Sequence, residues 1–164
     1  MKILESSGPK TRIGEGVALT DVQILLLTLW GEGRGEPIEG RIAIGCVIRN
    51  RVRWGKWGES YARVCLAPYQ FSCWRSEGGR ANHEALLAMA KALADGLEIT
   101  DQILRESGWI AHGIIGEWIR DTVRGATHYY SPDAMVPKGR IPAWALNHTP
   151  VATVGDHLFF RGVK

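Results

Sequence analysis

The sequence lacks a run of roughly 18 or more uninterrupted apolar residues, the length a membrane-crossing helix needs. Its opening residues, MKILESSGPKTRIGEG, lack the apolar core of a secretory signal peptide. Together these predict synthesis in the cytoplasm, no readable export address and no stable membrane insertion. Charge of one sign is also scarce: 20 basic residues stand against 17 acidic ones, well mixed, for a net +3. No basic stripe announces a nucleic-acid groove, and the small positive excess favours at most an anionic surface such as a cell wall. Cysteine is limited to Cys46, Cys65 and Cys73. An odd number without an export signal argues against an obligatory disulfide framework, although Cys65 and Cys73 are close enough in sequence to pair under oxidising conditions. The five histidines are scattered, with neither a CxxC nor an HExxH spacing, so neither a metal nor another cofactor is expected. No internal repeat or low-complexity tract is present.

What remains is 164 residues with 45% hydrophobic content, enough for one globular core and expected to fold as a monomer. Residues 1–19, rich in Gly, Ser and Lys without a clear period, read as a flexible N-terminal arm, leaving 20–164 as a single domain. Thr20 and Gln23 form a capping-box pattern before VQILLLTLW, a run apolar nearly all round and so predicted to be a buried helix. Gly31, Gly33 and Gly35 are expected to end it. Pro37 suits the start of a second helix reaching about Arg53. The span 54–80 is aromatic, Gly-rich and irregular, and HEALLAMAKALADG predicts a third helix closed by Gly96. One or two further helical stretches are expected over 100–123, interrupted at Gly108, Gly113 and Gly116. ATHYYSP and VATVGDHLFF read as strands. The fold class predicted is α+β, predominantly helical, with a small antiparallel β element near the C-terminus.

The most pointed stretch is LWGEGRGEPIEGR, Leu29 to Arg41, which places carboxylates between two helices. Glu36 and Glu39 fall at a helix start, where the macrodipole stabilises an acid by roughly 0.3–1 kcal/mol, and a structural role suffices for them. Glu36 is nevertheless a candidate secondary carboxylate. Glu32 falls at the opposite pole, the C-terminal end of a buried helix and beside Trp30. That setting opposes ionisation, as a general acid for glycoside cleavage requires. An acid near a helix end is also a common surface feature.

WGEGRGEPIEGRIAIGCVIRNRV, followed by PYQFSCW, ATHYYSP and VGDHLFF, resembles the spore-cortex lytic enzyme and cell-wall hydrolase family over roughly residues 24–160. Its most specific features are Gly-Glu, then Arg-Gly-Glu-Pro, Gly40, and the ending Asn50-Arg51-Val52. Gly33 stands where such sequences commonly carry alanine. The resemblance implies a lysozyme-like, lytic-transglycosylase-like domain acting on peptidoglycan glycan strands, with Glu32 as catalytic acid, no metal, and 1,6-anhydro products.

Other motifs supply binding candidates. In PYQFSCW, Phe71 and Trp74 are either core aromatics or a sugar-stacking platform, and Gln70 is a candidate donor to an N-acetyl carbonyl. In ATHYYSP, alternation sends Thr127 and Tyr129 to one face and His128 and Tyr130 to the other. The family pattern points to Tyr129 in the cleft, with Tyr130 and His128 open to either role. Two alternatives compete with glycan cleavage: a zinc amidase built from His128, His157 and Cys73 or an acid, and a non-catalytic wall-binding or phage-tail module. The missing export signal fits a phage-type lysin released by a separate protein, or a tail-borne enzyme.

Overall fold

The computed structural model describes residues 7–164. Its first element corrects the expected arm. Strand β1 (Lys10–Gly14) pairs antiparallel with β2 (Val17–Thr20), and Leu19 is fully buried in the main core. Too few apolar residues alternate in TRIGEGVALT to announce the hairpin; Leu19 is what anchors it. Residues 1–6 of the expected arm lie outside the described residues.

Helix α1 (Asp21–Gly33) begins at the expected capping box, with the Thr20 side chain accepting from the Gln23 backbone N–H and the Gln23 side chain reaching back to the cap. Ile24, Leu25, Leu26, Leu27 and Leu29 are all at 0% exposure. Each such side chain stabilises the fold by about 1.5–3 kcal/mol. The helix is central: β2, α2 (Ile38–Trp54), α3 (Tyr61–Leu66), α4 (Arg80–Ala94) and α5 (Gln102–Ile115) all pack against it. Contrary to expectation, α1 continues through Gly31 and ends at Gly33. Pro37 is the residue before α2 rather than its first helical position.

Helix α4 starts three residues earlier than its sequence pattern and closes at Gly96, whose left-handed φ of +68° lets Gly96 N–H reach the Leu93 carbonyl and Leu97 N–H the Ala92 carbonyl. Helix α5 is one helix, not two. Gly108 and Gly113 lie inside it, and a Cβ at Gly113 would come within 2.4 Å of Ile119 Cδ1, so that glycine serves close packing rather than termination.

The second half of the chain ends in the expected sheet. Strands β3 (His128–Tyr130), β4 (Ala152–Val154) and β5 (His157–Phe160) are antiparallel in the order β3-β5-β4. Register pairs Tyr129 with Phe159 and His128 with Phe160. The face carrying Tyr129 and Phe159 packs on the main core, while Phe160, Tyr130 and Leu158 join Ala145, Trp144 and Val163 in a smaller cluster on the other face. Among the described residues no helix is long and apolar enough to cross a membrane.

Candidate active site

Glu32 sits in the last turn of α1, and the 3₁₀ turn Ser72–Trp74 lies against it. Cys73 N–H donates to Glu32 Oε1 at 3.0 Å, and the Ser72 hydroxyl approaches the same oxygen at 3.5 Å. The contact depends on Gly31. A Cβ there would stand 2.4 Å from Cys73 Cβ and 2.8 Å from its Sγ, so only a bare Cα lets the turn come this near. One helical turn back, Thr28 Oγ1 accepts from Trp74 Nε1 at 2.9 Å, and His83 Nδ1 lies 3.1 Å from the Cys73 carbonyl. PYQFSCW is therefore clasped to the end of the helix that carries the acid.

Trp30, expected to wall Glu32, does not. Residues two apart on a helix face different ways, and Trp30 is buried in the core with the Arg34 guanidinium 4.6 Å above its ring. Phe71 is likewise a core residue, 2% exposed, and is not free to stack a sugar. Trp74 is half-buried, packed on the core with its N–H committed to Thr28.

Arg51, which sequence reasoning passed over as a candidate, joins the predicted pieces. Its Nε donates to the Thr127 carbonyl at 2.7 Å and its Nη1 to Gln70 Oε1 at 3.2 Å. The guanidinium lies 4.5 Å from the Trp57 ring centre and 5.4 Å from that of Phe71. Burial pulls its pKa below the ordinary arginine value. A cation–π contact of this desolvated kind contributes about 2 kcal/mol. Neighbouring α2 side chains do similar work: Arg49 donates to the Ile119 carbonyl at 2.7 Å and Asn50 to that of Ala126 at 3.0 Å. Asn50 and Arg51 of the ending Asn50-Arg51-Val52 are thus buried donors that fix the chain leading into β3. The signal was present in sequence, since Ile44, Ile48 and Arg51 are spaced four and three apart on one helical stripe. Gln70 is consequently a loop anchor whose side-chain oxygen is already engaged.

The alternation in ATHYYSP separates the three remaining candidates. Burial first, and then the Glu32 carboxylate, push the Tyr129 hydroxyl well above the usual tyrosine range, which puts phenol and carboxylate in one another's field. Tyr130 stacks on Phe160 with centroids 5.7 Å apart. His128 lies between Trp57 and Trp144, at 5.5 Å and 5.1 Å, with its Nδ1 3.0 Å from Thr127 Oγ1. Burial, helped by Arg51 and Lys56, lowers its pKa to about 4. Tyr129 lies on the core face of β3, within the field of the Glu32 carboxylate, while Tyr130 and His128 lie on the opposite face.

The other carboxylates are engaged or remote. Glu36 Oε1 is 3.2 Å from His157 Nδ1, with the two side chains 14% and 13% exposed. The two atoms are close without forming an aligned hydrogen bond, since Nδ1 has no partner of hydrogen-bond geometry. Glu36 is therefore not the surface helix-start acid its sequence position implied. Glu59 and Asp156 are exposed, and Asp133 pairs with Lys138 at 3.0 Å.

The ligand set of a zinc amidase is not assembled. His128, His157 and Cys73 keep separate company, and among the described residues no three His, Cys, Asp or Glu side chains converge. All three cysteines are buried free thiols. Burial pushes Cys65 up to about 12, and burial with the Glu32 charge pushes Cys73 higher, so neither is a ready nucleophile.

Comparison with known proteins bears on the family and the fold. A model of the family described as Cell Wall Hydrolase matches residues 35–160, a span beginning just after Glu32. The spore cortex-lytic enzyme of Oceanobacillus iheyensis is 27% identical over 156 residues, covering 93% of this chain and 46% of that protein. That of Bacillus subtilis (strain 168) is 27% identical over 146 residues, covering 88% and 38%. The chain thus spans less than half the length of these two relatives. Among solved structures, the catalytic domain of the germination-specific lytic transglycosylase SleB from Bacillus anthracis superposes with a TM-score of 0.56 at 24% identity, covering 86% of this chain and 93% of that one. The catalytic domain of the Bacillus cereus SleB protein gives 0.57 at 24% identity, covering 94% and 100%. The expected α+β, predominantly helical fold is the fold these domains share.

Proposed function

The chain belongs to the cell wall hydrolase family, and from that premise we propose that it cuts peptidoglycan glycan strands between N-acetylmuramic acid and N-acetylglucosamine as a lytic transglycosylase. The observation that carries this reading is the seat of Glu32: a carboxyl at the end of a buried helix, with one oxygen held by the Cys73 N–H at 3.0 Å and Tyr129 beside it. The Cys73 N–H and the Ser72 hydroxyl both address Oε1, so Oε2 is the oxygen assigned the transferable proton.

Retaining and inverting glycosidases use a second carboxylate at a set distance from the acid. The candidates here are held by other partners or exposed, which supports a route with one carboxylate. Glu32 protonates the glycosidic oxygen, and the C1–O4 bond breaks. Now a carboxylate, it takes the proton of the muramic acid C6 hydroxyl as that oxygen bonds C1. The products are a free N-acetylglucosamine 4-hydroxyl and a 1,6-anhydro end, with no water consumed. On this reading the β1–β2 hairpin and residues 20–164 form one catalytic unit, and its place of action is the cell wall.

The test is digestion of purified peptidoglycan with and without EDTA, following bound protein and new glycan ends together. The proposal expects new glycan ends in both conditions. Free stem peptides lost on chelation would indicate the amidase, and binding without new ends would indicate a wall-binding module.

A further inference from the structure

The Glu36–His157 pair lies on the same sheet face as Tyr129 and has no place in the reaction just described. Its construction is specific. The Glu36 carboxylate fills a slot between two glycines from distant parts of the chain: a Cβ on Gly155, in the β4–β5 turn, would lie 2.7 Å from Oε2, and one on Gly40, in the first turn of α2, would lie 3.2 Å from it. In this slot Oε1 meets His157 Nδ1 at 3.2 Å. The His157 ring in turn stands edge-on to the Tyr129 ring, with centroids 5.2 Å apart at 70°. Phe159 stacks on Tyr129 at 5.6 Å and 29°. Tyr129 is therefore bounded by His157 and Phe159, and His157 is held from behind by a carboxylate with little freedom to move.

We propose that Glu36 and His157 are positioning residues that set the Tyr129 ring, and through it the phenol hydroxyl, against the catalytic carboxyl. This rests on the reading of Glu32 as the acid. A purely structural alternative is that the pair ties the start of α2 to the β4–β5 turn and affects stability alone. The two differ in one respect: positioning acts through the Tyr129 hydroxyl, so its kinetic effect must vanish when that hydroxyl is absent.

The experiment is a set of double-mutant cycles on peptidoglycan turnover, with thermal midpoints measured alongside. Glu36→Gln and His157→Gln are each made in the wild-type chain and in Tyr129→Phe. Because either variant can fail to fold, Gly40→Ala is added, which presses on the Glu36 side chain, whose Cβ would lie 2.9 Å and Oε2 3.2 Å from the new methyl. The expectation is a roughly three- to tenfold fall in kcat for each change in the wild-type chain, with KM nearly constant, the size of one misplaced hydrogen bond. In the Tyr129→Phe background the same changes should leave kcat within about twofold while lowering the midpoint as before. Equal fractional losses in both backgrounds, or unchanged kcat in the wild-type chain, overturn the positioning role even if Glu32→Gln is inactive. Full turnover by Glu32→Gln takes down both this inference and the reading beneath it.

Discussion

Glu32 and Glu36 are four residues apart, yet their seats have little in common. Glu32 projects from the end of a helix whose core face is wholly buried, and is met on one oxygen by a backbone N–H. Glu36 lies in a slot closed by two glycines and faces a histidine. The first arrangement orients a carboxyl while leaving an oxygen for another partner. The second commits the carboxylate to His157. The break in the helix after Gly33 is what allows one short stretch to supply both. Proximity in sequence therefore says nothing about shared function here; the partner groups do.

The largest expected effect breaks the comparison at its first member. Glu32→Gln keeps size and hydrogen bonding but removes the transferable proton, and peptidoglycan turnover should fall by roughly 10²–10⁴-fold with the thermal midpoint little changed. More than a tenth of wild-type turnover would remove Glu32 from its role.

Next come the two glycines of the last helical turn. Gly31→Ala pushes the Ser72–Trp74 turn away, and loss of the hydrogen bond that Glu32 accepts once it has become a carboxylate, about 1.5–3 kcal/mol, corresponds to roughly a ten- to hundredfold slower reaction. Gly33→Ala meets Arg41 Cγ at 2.8 Å and Ile44 Cδ1 at 3.2 Å, both side-chain atoms rather than backbone of the site, and should cost only a few-fold. Turnover of the two variants side by side checks this, and equal losses would mean that the Cys73 contact is incidental.

A smaller effect separates the faces of β3. Tyr129→Phe deletes one hydroxyl near Glu32 and should lower turnover about three- to tenfold, as expected for about 0.5–1.5 kcal/mol. Tyr130→Phe should leave turnover unchanged, because its ring belongs to the outer cluster with Phe160 and Trp144. The reverse result would place the cleft on the other side of the strand.

The smallest effect is on stability. His128 has a folded pKa of about 4 against an ordinary 6.5, because burial disfavours its charged form. Below pH 6.5 the unfolded chain takes up a proton that the folded chain refuses, so His128 makes stability fall as pH drops toward 4. Denaturant melts of His128→Gln should show a shallower loss than wild type across that window. An unchanged slope would mean His128 titrates normally.

Much of this architecture was legible because it rests on short-range physics. The Thr20–Gln23 cap, the buried helix after it, the closing Gly96 and the alternation of Tyr129 against Tyr130 are all local patterns, and all are present in the structure. The misses have long-range causes. Gly113 looks like a break in sequence because a sequence does not show Ile119 folding back onto α5. Phe71 was offered as a sugar platform because its burial under Arg51 depends on a contact across twenty residues. The donor that holds Glu32 is a backbone N–H, and no residue type announces one. For Glu36, the place before α2 is visible in sequence, but its partner His157 is 121 residues away and lies in another element.

The central claim is that one carboxylate, Glu32, performs both proton transfers without a second carboxylate to activate water. Its most direct test is mass spectrometry of glycan fragments after digestion of purified peptidoglycan in ¹⁸O-labelled water. The account predicts 1,6-anhydro ends carrying no label, because the muramic acid's own C6 oxygen closes on C1. Reducing ends carrying one labelled oxygen would contradict it, since water would then be the nucleophile and a second base would be required.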